Sequence, residues 1–317
     1  MKSELRDELE SSGVDADDVE RIIATALDED LRFGPDVTSE ATIAIDQWSE
    51  ATIVARQPGV VCGLNVALGV LEETSFPLSG VTLVRHDGDA IAAGHEVMSF
   101  SGPLRPLLLA ERTMLNFLTH LSGVATATNA WVRALEGTHC QVRDTRKTTP
   151  GLRQLEKYAV RCGGGVNHRL GLGDAALVKD NHIDAAGGIT QAVAAIRCSH
   201  PAIALEVECD TLEQVREAVS VGCDMILLDN MDLASIEAAV AIIRSTSSIR
   251  VEASGSMTIE RARLVAHTGV DYIAVGSLTH SVTSLDLGLD IVPDFPRRQN
   301  SRESVSTSNL SHDPKLQ

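Results

Sequence analysis

Ile203–Asp229 reads IALEVECDTLEQVREAVSVGCDMILLD, and this stretch decides the fold. Ile203–Glu208 and Met225–Asp229 are near-continuous apolar runs of strand length, as expected of strands buried on both faces. Leu212–Val221 between them has helical spacing. The same unit repeats on either side. Strands are expected at Cys140–Arg143, Ala175–Lys179, Ile249–Ala253 and Tyr272–Val275, and helices at Leu152–Arg161, Gly188–Arg197, Leu233–Arg244 and Ile259–His267. A strand-to-strand interval of about 20 to 35 residues is one βα unit each time. Repeated units with polar groups at each strand's carboxyl end predict a parallel barrel. A doubly wound open sheet is the alternative, because periodicity does not show closure.

Upstream, residues 15–31 place Val19, Ile22, Ile23, Ala26 and Leu27 on one helical stripe, and GPDVTSE then breaks it. Ala51–Gly102 reads as antiparallel strands around a helix at Leu64–Glu73, a small α+β lobe. Pro106 opens a helix expected over Leu107–Leu121, and a second follows Gly123 to about Leu135. Arg112 lies inside the first, where an arginine ordinarily snorkels along the surface. Leu285–Val292 adds a last strand or returns to the lobe. The expected division is a lobe over 1–121 joined by 281–293, a barrel over 122–280, and a disordered tail over 296–317.

The chain of 317 residues carries a formal charge of −17, which argues against nucleic acid or an anionic membrane as a partner. No secretory or membrane segment is visible, since Gly59–Leu71 is too short to span. Six cysteines without a CxxC spacing read as reduced core thiols of a cytoplasmic protein. Against this acidic background, Gln141–Ile183 holds eight Lys or Arg and four acids. Part of that excess reads as solvated helix charge, such as Glu156 and Lys157. Arg146-Lys147 and Lys179, however, follow strand-like runs, and His168-Arg169 lies in a Gly-rich loop. Cations gathered at strand ends suit a small polyanion.

In a parallel barrel the strand ends converge on one mouth. They offer Asp144 with Arg146-Lys147, then Lys179, Glu206 and Glu208, Asp229, Glu252 with Ser254-Gly255, and Gly276-Ser277. Glu208 and Asp229, closing successive strands, suit Mg²⁺ with waters completing an octahedron, or else pair with the neighbouring lysines. Ser254-Gly255 and Gly276-Ser277, each expected to open a helix, offer backbone N–H groups to phosphate.

The motifs DTRKTTPGLR, GGGVNHRLGL, VKDNHI, EVE, LLDN, EASG and LTHS, with PLLLAERTMLNFL upstream, occur in this order. Over about Ala16–Val292 the chain resembles the quinolinate phosphoribosyltransferase family. The resemblance implies an α/β fold: an incomplete parallel α/β barrel with an N-terminal α+β sandwich lobe, in a dimer or higher homo-oligomer. It implies transfer of phosphoribose from phosphoribosyl pyrophosphate to quinolinate with Mg²⁺, giving nicotinate mononucleotide, pyrophosphate and CO₂ for NAD synthesis. By the same resemblance Arg146, His168 and Arg169 hold the quinolinate carboxylates, and Lys147 and Lys179 face both substrates. Glu208 and Asp229 serve metal and ribose, Ser254, Gly255, Gly276 and Ser277 hold phosphate, and Arg112 reaches a neighbouring subunit's quinolinate. One departure is an inserted proline in Gly34-Pro35-Asp36-Val37-Thr38, away from the expected mouth. Two other enzyme readings are a barrel aldolase with Lys147 or Lys179 as Schiff base and a transferase acting on nicotinate. A phosphoryl-ligand-binding regulator is the non-enzyme alternative.

Overall fold

The computed structural model describes residues 1–293; the tail over 296–317, expected to be disordered, lies outside the described residues. Two helices begin the chain. Helix α1 (Ser3–Ser11) buries only Leu5 and Leu9, one turn apart in a charged segment, so periodicity gave little sign of it. The expected helix is α2 (Ala16–Leu31), which buries Val19, Ile22, Ile23 and Leu27; the side chain of Asp15 caps it by accepting the N–H groups of Asp17 and Asp18. The GPDVTSE break starts a further short helix, α3 (Val37–Thr42), because Asp36 accepts the Ser39 N–H at 3.0 Å.

The lobe continues with β1 (Trp48–Ala55), β2 (Gly59–Val60), α4 (Leu64–Glu73), β3 (Val81–Leu83), β4 (Ala90–Ile91) and β5 (Glu96–Pro103). Alternate residues of β1 are buried, the pattern of a sheet covered on one face. Its partners are β5 on one side and the last strand, β12 (Leu287–Pro293), on the other, both antiparallel. The four-stranded order is β12-β1-β5-β3, and β2 pairs with β4 separately.

Where two helices were expected around Gly123, one continuous helix, α5 (Leu104–Ala134), runs for 31 residues. A glycine inside a helical pattern suggests a break, but Gly123 answers to packing instead. A Cβ there would lie 2.5 Å from the carbonyl oxygen of Thr283, so only glycine lets the returning chain cross α5 this closely.

The second half alternates as read: β6 (Gln141–Arg143), α6 (Arg153–Cys162), β7 (Ala176–Val178), α7 (Asp180–Ala186), α8 (Ile189–Ser199), β8 (Leu205–Cys209), α9 (Leu212–Val221), β9 (Met225–Asp229), α10 (Leu233–Thr246), β10 (Arg250–Ser254), α11 (Ile259–Ala266), β11 (Tyr272–Ala274) and α12 (Ser277–His280). The six strands are parallel in the order β6-β11-β10-β9-β8-β7. The first strand pairs with the last, so the sheet wraps around, and the doubly wound alternative is set aside. The ring stays open between β6 and β7. Val166 lies against the free edge of β6, its N–H donating to the Val142 carbonyl at 2.9 Å. No helix among the described residues is long and apolar enough to cross a membrane.

The Gly123 crossing gives a stability test. Gly123→Ala gains roughly 1 kcal/mol of helix propensity but forces a methyl into backbone, which costs about 1–3 kcal/mol. Urea unfolding should show a net loss; a gain would mean the crossing relaxes freely.

Candidate active site

The site is built from the floor of the barrel upward. Asp144, immediately after β6, and Lys157, in the middle of α6, are both fully buried. The Lys157 ammonium donates to Asp144 Oδ1 and to the His168 carbonyl at 2.9 Å. Asp144 also accepts the His168 N–H at 2.8 Å and the Asn167 side-chain amide at 2.6 Å. Burial lowers the Lys157 pKa, and the three acceptor and donor contacts are what keep the pair tolerable without water. Lys157 is therefore a brace, not a solvated surface charge as its helix suggested. Glu156 is fully buried too, its carboxylate accepting the Thr149 N–H at 3.0 Å with His120 Nε2 at 2.9 Å. Together they fix the loops on either side of α6 that carry Arg146-Lys147 and His168-Arg169.

Above that brace lies a cluster of Arg143, Glu206 and Glu252, to which neither the strand pattern nor the resemblance assigns a role. Arg143 donates to Glu252 Oε2 at 2.6 Å. His168 Nε2 stands 3.1 Å from Glu206 and 3.7 Å from Glu252. The Arg169 N–H donates to His168 Nδ1 at 2.7 Å, which leaves the proton of a neutral ring on Nε2, facing the glutamates. Burial pushes the His168 pKa down to about 4 and both glutamates up to about 7. The Oε1 atoms of both glutamates are buried with no hydrogen-bond partner among the described residues. The signal for them was strand period: Glu206 lies two before Glu208 and Glu252 two before Ser254, so each points to the same interior as its neighbour.

Eleven of the twelve expected site residues line one cavity of about 700 Å³ at the carboxyl ends of the strands. They are Arg146, Lys147, His168, Arg169, Lys179, Glu208, Asp229, Ser254, Gly255, Gly276 and Ser277. Arg146 Nε is buried with no hydrogen-bond partner among the described residues. Arg169 donates to the Ala175 carbonyl at 2.9 Å, and its pKa is lowered by burial and then by the charge of Arg146. Two guanidinium groups that repel each other in a shared recess form a site for an anion. Across the cavity, Lys179 is ion-paired with Glu208, which is the alternative considered for that acid. Asp229 instead accepts from the Ser254 hydroxyl and, at 2.6 Å, from the Asn230 amide.

Ser254-Gly255 does not open a helix as expected. Gly255 and Ser256 have φ of +95° and +39°, so α11 cannot start until Thr258 caps it. The loop packs tightly against its neighbour all the same: a Cβ on Gly255 would sit 2.1 Å from the side-chain Oδ1 of Asn230, so this position admits only glycine. Gly276-Ser277 does open a helix, the single turn of α12. Arg112 is the twelfth residue. It is exposed on α5 and does not line this cavity.

The buried glutamates set a pH test. Glu252 has a native pKa of about 7 against 4.5 ordinarily. Between those values the folded state holds a proton that the unfolded chain releases, so the Glu252 contribution falls as pH rises. Glu252→Gln cannot titrate and leaves Arg143 unpaired by a constant amount. Measured by urea unfolding, its stability relative to wild type should improve from pH 4.5 to 7 by on the order of 1–3 kcal/mol. A pH-independent difference would show that folding leaves the Glu252 pKa unshifted.

Comparison with known proteins agrees with this fold. Two family profiles match, the N-terminal domain of quinolinate phosphoribosyl transferase over residues 36–122 and its C-terminal domain over 124–290. The chain is 48% identical over 273 residues to the nicotinate-nucleotide pyrophosphorylase [carboxylating] of Mycobacterium leprae, covering 85% of this chain and 95% of that one. It is 42% identical to a probable enzyme of the same name from Bacillus subtilis, covering 83% of this chain and 90% of that one. The solved nicotinate-nucleotide pyrophosphorylase of Francisella tularensis superposes with a TM-score of 0.81 at 36% identity, covering 87% of this chain and 96% of that one. Sequence, fold and cavity converge, and the chain belongs to the quinolinate phosphoribosyltransferase family.

Proposed function

We propose that the strand-end cavity is where quinolinate takes the phosphoribosyl group of phosphoribosyl pyrophosphate, with loss of pyrophosphate and CO₂ and formation of nicotinate mononucleotide. The observation that carries this is the Arg146–Arg169 recess, two mutually repelling guanidiniums with Arg146 Nε unpartnered among the described residues. A planar dicarboxylate matches two forked donors better than a monocarboxylate does. His168 has one ring nitrogen engaged by Arg169 and the other turned to the glutamates, so it shapes the recess and orients Arg169 rather than reaching the acid itself.

Glu208 and Asp229 present two carboxylates and no sulfur or imidazole, a donor set suited to Mg²⁺ held largely through water and phosphate oxygens. When bound, Mg²⁺ supplies positive charge to the departing pyrophosphate. The chain's own groups supply the rest. Lys147, whose ammonium has no protein partner among the described residues, and Lys179 face the two anionic substrates. Ser254, Gly255, Gly276 and Ser277 hold phosphate, and the two carboxylates face the positive charge that develops on ribose. The ring nitrogen, once ribosylated, is the electron sink for CO₂ loss, so no protein nucleophile is needed. That disfavours the Schiff-base reading, as does the Lys179–Glu208 pair.

The test is incubation with quinolinate, phosphoribosyl pyrophosphate and Mg²⁺, read as nicotinate mononucleotide and CO₂. Nicotinate should give no product. Arg169→Lys keeps the charge and loses the fork, so quinolinate affinity should fall by about 1.5–3 kcal/mol, with phosphoribosyl pyrophosphate affinity nearly unchanged. Equal weakening of both would place Arg169 elsewhere.

Arg112 completes the site in trans, in a homodimer. It is exposed on α5 of its own chain, outside the cavity, and Phe33, Val37, Ile45 and Trp48 of the lobe are exposed apolar residues, as are Leu170 and Leu172 beside Arg169. A two-fold arrangement that lays each lobe over its partner's barrel covers these surfaces and excludes water from the cavity. Arg112→Ala and Lys147→Ala should each be nearly inactive. Refolded together, they should regain roughly a quarter of normal activity, since half the dimers are mixed and each then carries one intact site. An inactive mixture containing confirmed mixed dimers would place Arg112 outside the site.

A further inference from the structure

The first helix of the barrel ends on a nucleophile that phosphoribosyl transfer does not use. Cys162 is the last residue of α6 and is partly exposed. Cys62, in the turn between β2 and α4 of the lobe, faces it and is fully buried. The two Sγ atoms and a carboxylate oxygen of Asp87 lie within 4.8 Å of one another. Such a trio is a candidate metal site by composition, but Asp87 is already satisfied. Its Oδ1 accepts the N–H groups of Gly63 at 3.0 Å and Leu64 at 3.1 Å, and its Oδ2 accepts the Tyr158 hydroxyl at 2.8 Å. What remains unused is the pair of thiols.

We propose that Cys162 and Cys62 are a reversible oxidation site, at which a hydroperoxide oxidises Cys162 and Cys62 closes a disulfide joining the lobe to α6.

The surroundings divide the roles. The Cys162 pKa is lowered, chiefly by the Cys62 thiol as hydrogen-bond donor, with Arg161 adding to it; burial pushes the Cys62 thiol well above its ordinary value. Arg161 is held in place over the Tyr158 ring, 5.5 Å from its centre. The more acidic and more accessible sulfur is the one attacked, and a protonated neighbour is kept dry beside it, which is the arrangement of an oxidisable cysteine with its resolving partner. Cys140, Cys209 and Cys223 are buried with thiols pushed up by burial, whereas Cys198 is exposed.

The chemistry balances without any group from the transferase site. The Cys162 thiolate takes the terminal oxygen of the hydroperoxide, the O–O bond breaks, and the alkoxide leaves as the alcohol after taking a proton. The sulfenic acid formed on Cys162 is attacked by the Cys62 sulfur, the S–S bond forms, and hydroxide leaves as water with the Cys62 proton. Two thiols lose two hydrogens, and the peroxide is reduced to alcohol and water. A small dithiol reverses the bond.

The test uses the full reduced chain and hydrogen peroxide. After treatment, free thiols are alkylated with iodoacetamide under denaturing conditions and the peptides are mapped. Cys62 and Cys162 should lose alkylation together, the chain should lose two hydrogens in mass, and a linked peptide should appear that dithiothreitol removes. In Cys62→Ala, Cys162 should instead accumulate as a sulfenic acid that dimedone captures; in Cys162→Ala, Cys62 should stay fully alkylatable. The wild-type map decides by itself should either variant fail to fold. Full alkylation of both residues at a peroxide dose that oxidises Cys198 would overturn the proposal. So would one tightly held zinc per purified chain that is lost in Cys162→Ala, since the trio would then be a metal site.

Discussion

The ion pair between Asp144 and Lys157 is sealed from water, and the active-site loops depend on it. Removing one partner of such a pair strands a buried charge, at a cost of about 3–5 kcal/mol, whereas the intact pair contributes little net stability. What it supplies is position. Asp144 accepts from Lys157 and Asn167 side chains and from the His168 N–H, so the loop carrying Arg169 is tied to the end of β6. The barrel is open at that point, between β6 and β7, and regular strand pairing is not available to hold the loop. Polar contacts replace the missing ladder where two guanidiniums must be kept close against their own repulsion.

Much of the architecture was legible because its signal is local. Near-continuous apolar strands, helical spacing and polar strand ends recur often enough to predict the parallel barrel. The carboxyl-end rule then brings distant motifs to one mouth, which is why eleven expected residues share a cavity. Three of the failures have a common physical origin in long-range contacts. Gly123 looks like a helix break until Thr283 is seen passing it. Glu156 and Lys157 look like a solvated pair because their helix does not reveal which face meets the barrel. Glu206 and Glu252 lie one strand period below named site residues, and the burial that shifts them toward neutrality cannot be read from periodicity.

The charge distribution of the molecule is also a functional compromise. A formal charge of −17 over the chain repels the anionic substrates at a distance, while the cationic recess attracts them at close range. At physiological ionic strength exposed charges are screened beyond about 8 Å, so the recess governs once a substrate reaches the mouth. Raising the salt concentration therefore weakens both the general repulsion and the local attraction, and the balance between them sets how capture responds.

The sheet order β12-β1-β5-β3 has a consequence for the order of synthesis. Strand β1 occupies residues 48–55, but its neighbour β12 is not made until residues 287–293. At about 5–20 residues per second, one edge of β1 waits roughly 10–50 s while every strand of the barrel emerges. During that interval the nascent chain carries an unpaired edge, which is a template for association with other chains. The lobe strands made before the barrel are thus completed only after it, by a strand that follows the barrel in the chain.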